Sequence, residues 1–242
     1  MSISAPATSP YGWSPVPRSL DKFVEKTSSE DSQPFVIETI SHPDDPIATQ
    51  TLKYVTEKLP PQTLNHSLRV FAFGYAILNQ HFPHFLNEEE FPEFVKTFYL
   101  TCLLHDIGTA AENLGATKMS FDFYGAIVAI DFLREIGAEK DLREAVGEAI
   151  LRHQDLGGTG EITAVGGLVQ VGTVLDNAGL HADLVHRETI EGVTKAWPRG
   201  KWSGCFAATI REEVGAKPWC HSTHIEGFAE MVEGNEVMKE WD

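Results

Sequence analysis

Two histidines and two aspartates in this sequence offer the donor atoms that divalent metals take from proteins. His66, the pair His105-Asp106, and Asp176 each lie in a stretch whose apolar pattern predicts burial. A carboxylate buried without a partner costs several kcal/mol, so buried charges are paired or bound to metal. One divalent cation would compensate both carboxylates, and these four residues are therefore the predicted metal ligands.

Each of these residues also has an ordinary structural explanation when taken singly. A histidine on an apolar helix face is often a hydrogen-bonded core residue, and Asp176 could cap a neighbouring helix. The metal hypothesis is favoured because one ion accounts for all four positions. Mixed imidazole and carboxylate sites accept zinc, iron, manganese or nickel, so the ligand types leave the metal open.

Helices are predicted around each of these residues. The run from Asp45 to Leu59 starts with an acidic N-cap and is stopped by Pro60-Pro61. The next segment contains His66 and is apolar on two faces at helical spacing, which is typical of a central helix. The other predicted helices lead to His105, to Gly137 and to His153, with two or three shorter ones between Glu188 and Trp241.

Residues 162–175 carry no charge and have two interpretations. Abundant Val and Ile favour a strand, and Gly weakens a helix. A helix is preferred because no partner strand is evident elsewhere and because helical spacing relates Val165, Val169, Gly172 and Asp176.

The length of 242 residues fits one domain with a sizeable core. We expect an all-α fold in which residues 1–44 form an irregular arm packed on a helical catalytic domain of residues 45–242. The arm is predicted because its first part is rich in Pro and Ser, with only scattered apolar residues.

The charge of the chain limits its partners. There are 19 Lys and Arg against 35 Asp and Glu, a formal net charge of −16, which repels nucleic acid and anionic lipid surfaces. No leader or membrane-spanning run is recognisable, and three cysteines fit a reducing compartment, so we expect a cytoplasmic protein. Aromatic residues in the arm and tail would suit subunit contacts, and we expect a homo-oligomer.

The four predicted ligands resemble the H…HD…D signature of the HD-domain superfamily, helical metalloenzymes that mostly hydrolyse phosphate esters. Within that superfamily the chain is similar to fungal cyanamide hydratases. This similarity rests on Tyr11-Gly12-Trp13, Asn65-His66-Ser67, Leu103–Thr109, Met119–Asp122, Arg152–Asp155 and Lys217–His221. The resemblance implies an HD-domain-like helical bundle with one metal per chain, expected to be Zn²⁺.

The resemblance further implies a hydro-lyase that hydrates the nitrile of cyanamide to urea with zinc-activated water. HD nucleotidases often carry Glu four residues after the motif His, where this chain has Thr109. The acidic composition also suits a small neutral substrate better than a phosphate ester. A nucleotide phosphohydrolase and a non-catalytic metal-binding domain are the alternative functions.

Hydration of a nitrile requires a proton donor to the nitrogen. His153 is the first candidate because it ends a predicted helix and titrates near neutral pH, although a second-metal ligand or a structural residue are the alternatives. Lys118 and Asp155 are weaker candidates for orienting substrate, and Thr109 could line the pocket. The cluster Cys220-His221…His224 lacks a fourth ligand for a structural zinc and is better interpreted as an ordered tail or a subunit contact.

Overall fold

The computed structural model describes residues 10–25, 32–40 and 42–242, and this part of the chain is almost entirely helical. None of its helices is both long and apolar enough to span a bilayer. The predicted all-α class is confirmed. The α-helices are Leu20–Val24 (α1), Pro46–Lys58 (α2), Pro61–His81 (α3), Phe94–Leu104 (α4), Ala111–Leu114 (α5), Phe121–Glu135 (α6), Lys140–Leu151 (α7), Ala164–Ala178 (α8), Arg187–Ala196 (α9), Trp202–Ala216 (α10) and Phe228–Glu233 (α11).

The boundary between α2 and α3 follows the predicted local signals. The Asp45 carboxylate accepts hydrogen bonds from the backbone N–H groups of Ile47 and Ala48, at 2.8 and 3.3 Å, and so caps α2. Pro61 then occupies the first turn of α3, where the missing N–H of proline has no cost. These caps act within a few residues, which is why they could be read from the sequence.

Helices α3 and α8 cross at the centre of the molecule. Gly172 permits their close approach, because a Cβ built on it would lie 2.9 Å from the carbonyl oxygen of Val70. All residues of α8 from Ala164 to Asn177 are buried. This crossing brings His66 of α3 beside Asp176 of α8, although 110 positions separate them in sequence.

One short sheet corrects the expectation that residues 162–175 have no partner strand. Glu161–Thr163 (β2) pairs antiparallel with Pro15–Pro17 (β1) of the arm, and Val16 lies opposite Ile162. The helix begins directly after β2, where the Thr163 hydroxyl accepts from the Gly166 backbone N–H at 3.0 Å. The preferred helix is therefore present, but the expectation that nothing pairs with this segment was wrong.

The arm contacts the helical part in several places. The ring of Phe23 in α1 stacks on Phe82 with the centroids 4.6 Å apart, and Arg18 forms an ion pair with Asp155 at 3.2 Å. Further along, the backbone N–H of Phe35 donates to the hydroxyl of Thr189 at 2.7 Å. The described arm residues thus pack against α3, α9 and the turn after α7.

Helix α4 ends at Leu104, and the next residues form a tight turn that packs on the start of α6. Residues Ile107–Thr109 are a single 3₁₀ turn. A Cβ on Gly108 would lie 2.0 Å from the carbonyl oxygen of Phe121, so only glycine permits this contact. The turn holds His105 and Asp106 at the junction of α4 and α6.

We expect Gly108→Ala to destabilise the protein by about 1–3 kcal/mol, because the new methyl group forces the turn away from α6. Gly115→Ala is the matched control, since a Cβ there meets nothing within 4 Å and the residue has a negative φ of −87°. Urea unfolding of both variants measures the difference. Equal midpoints would contradict the proposed packing requirement.

Candidate metal centre

The side chains of His66, His105 and Asp106 converge in the interior. The Nε2 atoms of the two imidazoles are 3.2 Å apart. The Asp106 Oδ2 atom is 3.4 Å from Nε2 of His105 and 3.7 Å from Nε2 of His66. Within the described residues, this is the one group of three such side chains whose ligand atoms lie close enough to hold a metal ion.

The Asp106 carboxylate gives the clearest indication that a cation belongs here. The residue is 1 % exposed, and neither of its oxygens has a hydrogen-bond partner in the described part of the chain. Buried carboxylates are normally satisfied by donors or by a metal. The three side chains therefore fit a divalent cation.

Each imidazole of the site is fixed by an acceptor at Nδ1. His66 faces an Asp176 oxygen at 2.6 Å, and His105 faces the Cys102 carbonyl at 2.7 Å. A carboxylate or carbonyl oxygen can only accept, so Nδ1 carries the proton and Nε2 presents a lone pair. Both Nε2 lone pairs are thus directed toward Asp106, as metal ligation requires.

Asp176 lies behind His66, on the opposite side of the ring from Asp106. Both of its oxygens accept from arginine: Arg69 donates at 2.9 and 2.8 Å, and Arg199 donates at 2.6 Å. All four side chains of this group are fully buried. The structure thus brings together three of the four predicted ligands, His66, His105 and Asp106. Asp176, the fourth, lies where it orients the His66 ring.

The ionisation of these groups follows from burial and from neighbouring charge. Burial lowers the pKa of His66 to about 4, despite the opposing effect of Asp176 and Asp106, so its imidazole is neutral at pH 7. For Asp176, burial is outweighed by Arg69 and Arg199, which hold the pKa of its carboxyl well below its usual range. The two arginines therefore keep Asp176 ionised as the acceptor for His66.

Burial lowers the pKa of His105, but the adjacent Asp106 carboxylate outweighs burial and raises it on balance. For Asp106, burial is likewise outweighed, here by His105, His66 and His153, so its pKa is depressed. The Asp106 carboxylate thus favours a positive charge beside it. A bound metal ion would supply that charge in place of a proton.

Comparison with known proteins assigns the chain to a family. The HD-domain family model matches residues 63–178. Two proteins of Saccharomyces cerevisiae, the cyanamide hydratases DDI2 and DDI3, are each 42 % identical to this chain over 170 residues, covering 69 % of it and 73 % of the relative. The chain belongs to the cyanamide hydratase family. This finding confirms the resemblance inferred from the sequence, and the HD-domain match includes all four predicted ligands.

In this HD-domain protein, His153 is the other predicted residue that reaches the cluster. It follows α7, is 4 % exposed, and places Nε2 3.8 Å from Oδ1 of Asp106. Its Nδ1 faces the Ile150 carbonyl at 2.6 Å, so Nε2 again carries the lone pair. Burial, followed by repulsion from His105, lowers the pKa of His153. The imidazole is thus neutral near pH 7 and suited to accept a proton.

The structure does not bring Lys118, Asp155 or Thr109 to the cluster. Lys118 is exposed, and its carbonyl accepts from the indole of Trp219 at 2.9 Å. The Asp155 carboxylate accepts hydrogen bonds from Arg152 at 2.9 and 3.0 Å and from Arg18 of the arm. Asp155 therefore anchors the arm. The hydroxyl of Thr109 donates to the Asp106 carbonyl at 2.7 Å. In the described chain, Asp155 and Thr109 thus form structural hydrogen bonds through their side chains, and Lys118 takes part through its backbone carbonyl.

The cluster Cys220-His221…His224 could have suggested a structural zinc, but His221 contacts a carboxylate instead. His221 pairs through Nδ1 with the buried carboxylate of Asp122 at 2.6 Å, and its ring stacks on His224. This hydrogen bond, with burial opposing it, raises the pKa of His221. The pair joins the tail to the start of α6.

A cavity opens beside the cluster, and most of its wall could not be predicted. His105, Asp106 and His153 line one part of it, and the other lining residues are Gln154, Leu156, Thr173, Val174, Asn177, Ala178, Phe206, Ile225, Phe228 and Met231. Sequence reasoning also missed Arg69 and Arg199. An arginine three residues after His66, inside an otherwise buried helix, was the one available signal.

We expect Asp176→Asn to destabilise the metal-free protein by about 3–5 kcal/mol, because it leaves the buried Arg69 without its counter-charge and leaves Arg199 with Asp242 alone. The matched control is Glu240→Gln, which breaks the exposed Arg187–Glu240 pair and should change stability by less than about 1 kcal/mol. Unfolding is measured in excess chelator. Similar small losses in both variants would refute the role assigned to the arginines.

Proposed function

We propose that this protein hydrates the nitrile carbon of cyanamide to give urea, with a divalent metal held by His66, His105 and Asp106. The two yeast relatives carry the name cyanamide hydratase, which supports the assignment. The observation that carries it is the cavity beside the cluster. Its volume is about 30 Å³, counted as the space open to the centre of a water molecule.

The size and lining of this cavity suit a small neutral molecule. On the same measure one water needs roughly 10–15 Å³, so the cavity has room for about two or three heavy atoms. Cyanamide has three. Among the described residues no lysine or arginine lines the cavity, so it lacks the permanently charged side chains that would stabilise a phosphate ester. The nucleotide phosphohydrolase alternative is therefore less well supported, because the cavity is small and has no Lys or Arg side chain for the phosphate.

Zinc is the proposed metal, because two neutral imidazoles and one carboxylate are ligands that Zn²⁺ accepts readily. When bound, such a metal supplies Lewis acidity and lowers the pKa of water. Asp176 has the place of the carboxylate in a carboxylate–histidine–metal arrangement, since it holds the proton of His66 on Nδ1. On this proposal Asp176 acts through His66 and does not itself contact the metal.

His153 is the proposed proton carrier. Its Nε2 lone pair faces Asp106 and the cavity, and Nδ1 is fixed by the Ile150 carbonyl. Nε2 takes the proton from the attacking water as the carbon–oxygen bond forms. It then returns that proton to the nitrile nitrogen, whose lone pair comes from the broken π bond. The resulting isourea tautomerises to urea.

We expect the purified protein to release urea from cyanamide and no phosphate from nucleotides. A chelator should abolish urea release and Zn²⁺ should restore it, while His105→Ala should lose both bound metal and activity. Metal content is measured by mass spectrometry beside both assays. Phosphate release without urea release would overturn the proposed function.

His153→Ala should lower kcat by about 10²–10⁴-fold while the metal content stays unchanged. His84→Ala is the control, because His84 is exposed and contacts Phe85 away from the cavity. If the His153 variant instead lost its metal, His153 would be a ligand and the proton-transfer role would be excluded.

A further inference from the structure

The wall of the cavity is deeply buried on one side and only half-buried on the other. His105 and Asp106 of the cluster, and Phe206 beside them, are at most 3 % exposed. The half-buried lining residues are all apolar, and they are Leu156, Ala178, Ile225, Phe228 and Met231. Because side chains at an opening keep contact with solvent, these five residues form the mouth of the cavity.

A second, outer groove lies on the far side of two of the mouth residues. Ile225 and Phe228 line the cavity and also this groove, whose other wall includes Ile210 and Val214 of α10. The volume of the groove is about 590 Å³ on the measure that gives about 30 Å³ for the cavity. Two apolar side chains therefore lie between a wide outer space and a cavity that holds a few heavy atoms.

The ring of Phe228 is the outermost of a row of aromatic rings that reaches His66. It meets Phe206 edge-on, with the centroids 5.8 Å apart. Phe206 stacks on Trp202 at 4.9 Å, and Trp202 stacks on the His66 imidazole at 4.3 Å. Phe206 and Trp202 are at most 3 % exposed, whereas Phe228 is half-buried. Phe228 is thus the ring of this row that can move without opening the core.

The backbone on either side of the mouth is anchored. The hydroxyl of Ser222 donates to the buried Glu213 carboxylate at 2.8 Å, and Ala229 and Val232 of α11 are buried in a core cluster with α10. Between these anchors, residues 223, 224, 226 and 227 are exposed. Opening of the mouth is therefore a rotation of the Ile225 and Phe228 side chains, with α11 held in place.

From this arrangement we propose that Phe228, together with Ile225, gates the cavity and limits the size of the nitrile that enters. This proposal rests on the proposed function. With the ring in its present position, the cluster is separated from the groove and from bulk water. Rotation of the ring into another staggered conformation moves it toward the groove and admits substrate. Cyanamide fits behind the ring, and an N-alkyl substituent collides with it.

The experiment compares zinc-loaded wild-type protein with Phe228→Ala, using cyanamide, methylcyanamide and ethylcyanamide as substrates. All three carry a nitrile and an N–H group, so they differ in size at the alkyl end. The ratio of kcat/KM for ethylcyanamide to kcat/KM for cyanamide should rise about tenfold or more in Phe228→Ala. Phe228→Leu keeps an apolar side chain for packing, and it should move the ratio in the same direction by less.

A second measurement needs no turnover. The rate at which excess phenanthroline removes zinc reports access to the cluster through the mouth, and it should rise on the order of tenfold in Phe228→Ala. Phe132→Ala is the matched control, because Phe132 is also half-buried and stacks on another ring, Tyr54, at 4.0 Å. Phe132 is not among the described residues that line the cavity, so both readouts should equal those of wild type.

The outcomes separate this proposal from the proposed function. Absence of urea release by zinc-loaded wild type would refute the proposed function, while zinc removal would still report on the gate. An unchanged substrate ratio in both Phe228 variants would overturn the size limit. Zinc removal at the wild-type rate in Phe228→Ala would overturn the gate. Equal changes in Phe132→Ala would overturn both, since general loss of packing would then be the cause.

Discussion

The buried carboxylate of Asp106 is the constraint on which the site depends. Its two oxygens lie in the interior without hydrogen bonds from the described residues, beside three imidazoles that each present Nε2. Such a carboxylate is tolerated only where positive charge is available, because the desolvation cost of an isolated ion is several kcal/mol. The surrounding helices therefore form a site for a cation, and the tight turn at Gly108 holds the carboxylate in it.

The buried carboxylate of Asp176 has its charge compensated in a different way. Asp176 is compensated by Arg69 and Arg199 and uses its remaining capacity to hold the proton of His66. The two carboxylates thus lie on opposite sides of one imidazole, one facing the candidate metal position and the other fixing the tautomer. Both are carried by elements that meet α3, so the central crossing of α3 and α8 determines the geometry of the site.

Much of the architecture could be read from local signals. The cap at Asp45, the prolines that separate α2 from α3, and the helical spacing of apolar residues all act over a few positions. The pairing of β1 with β2 escaped detection because it depends on a segment of the arm far away along the chain. For Asp176, the spacing indicated burial correctly but gave no information on which atoms would surround it.

The sequence by itself determined the helical class, the family, and the buried ionisable residues that require compensation, since composition, periodicity and motif spacing are properties of the chain alone. Only the tertiary structure decided that Arg69 and Arg199 donate hydrogen bonds to the Asp176 carboxylate. It also decided which nitrogen of each imidazole faces Asp106 and which side chains of α8, α10 and the tail line the cavity. The reason is that hydrogen-bond direction and cavity shape depend on distances of a few ångströms between helices remote in sequence. No local rule sets those distances, because they result from how whole helices pack.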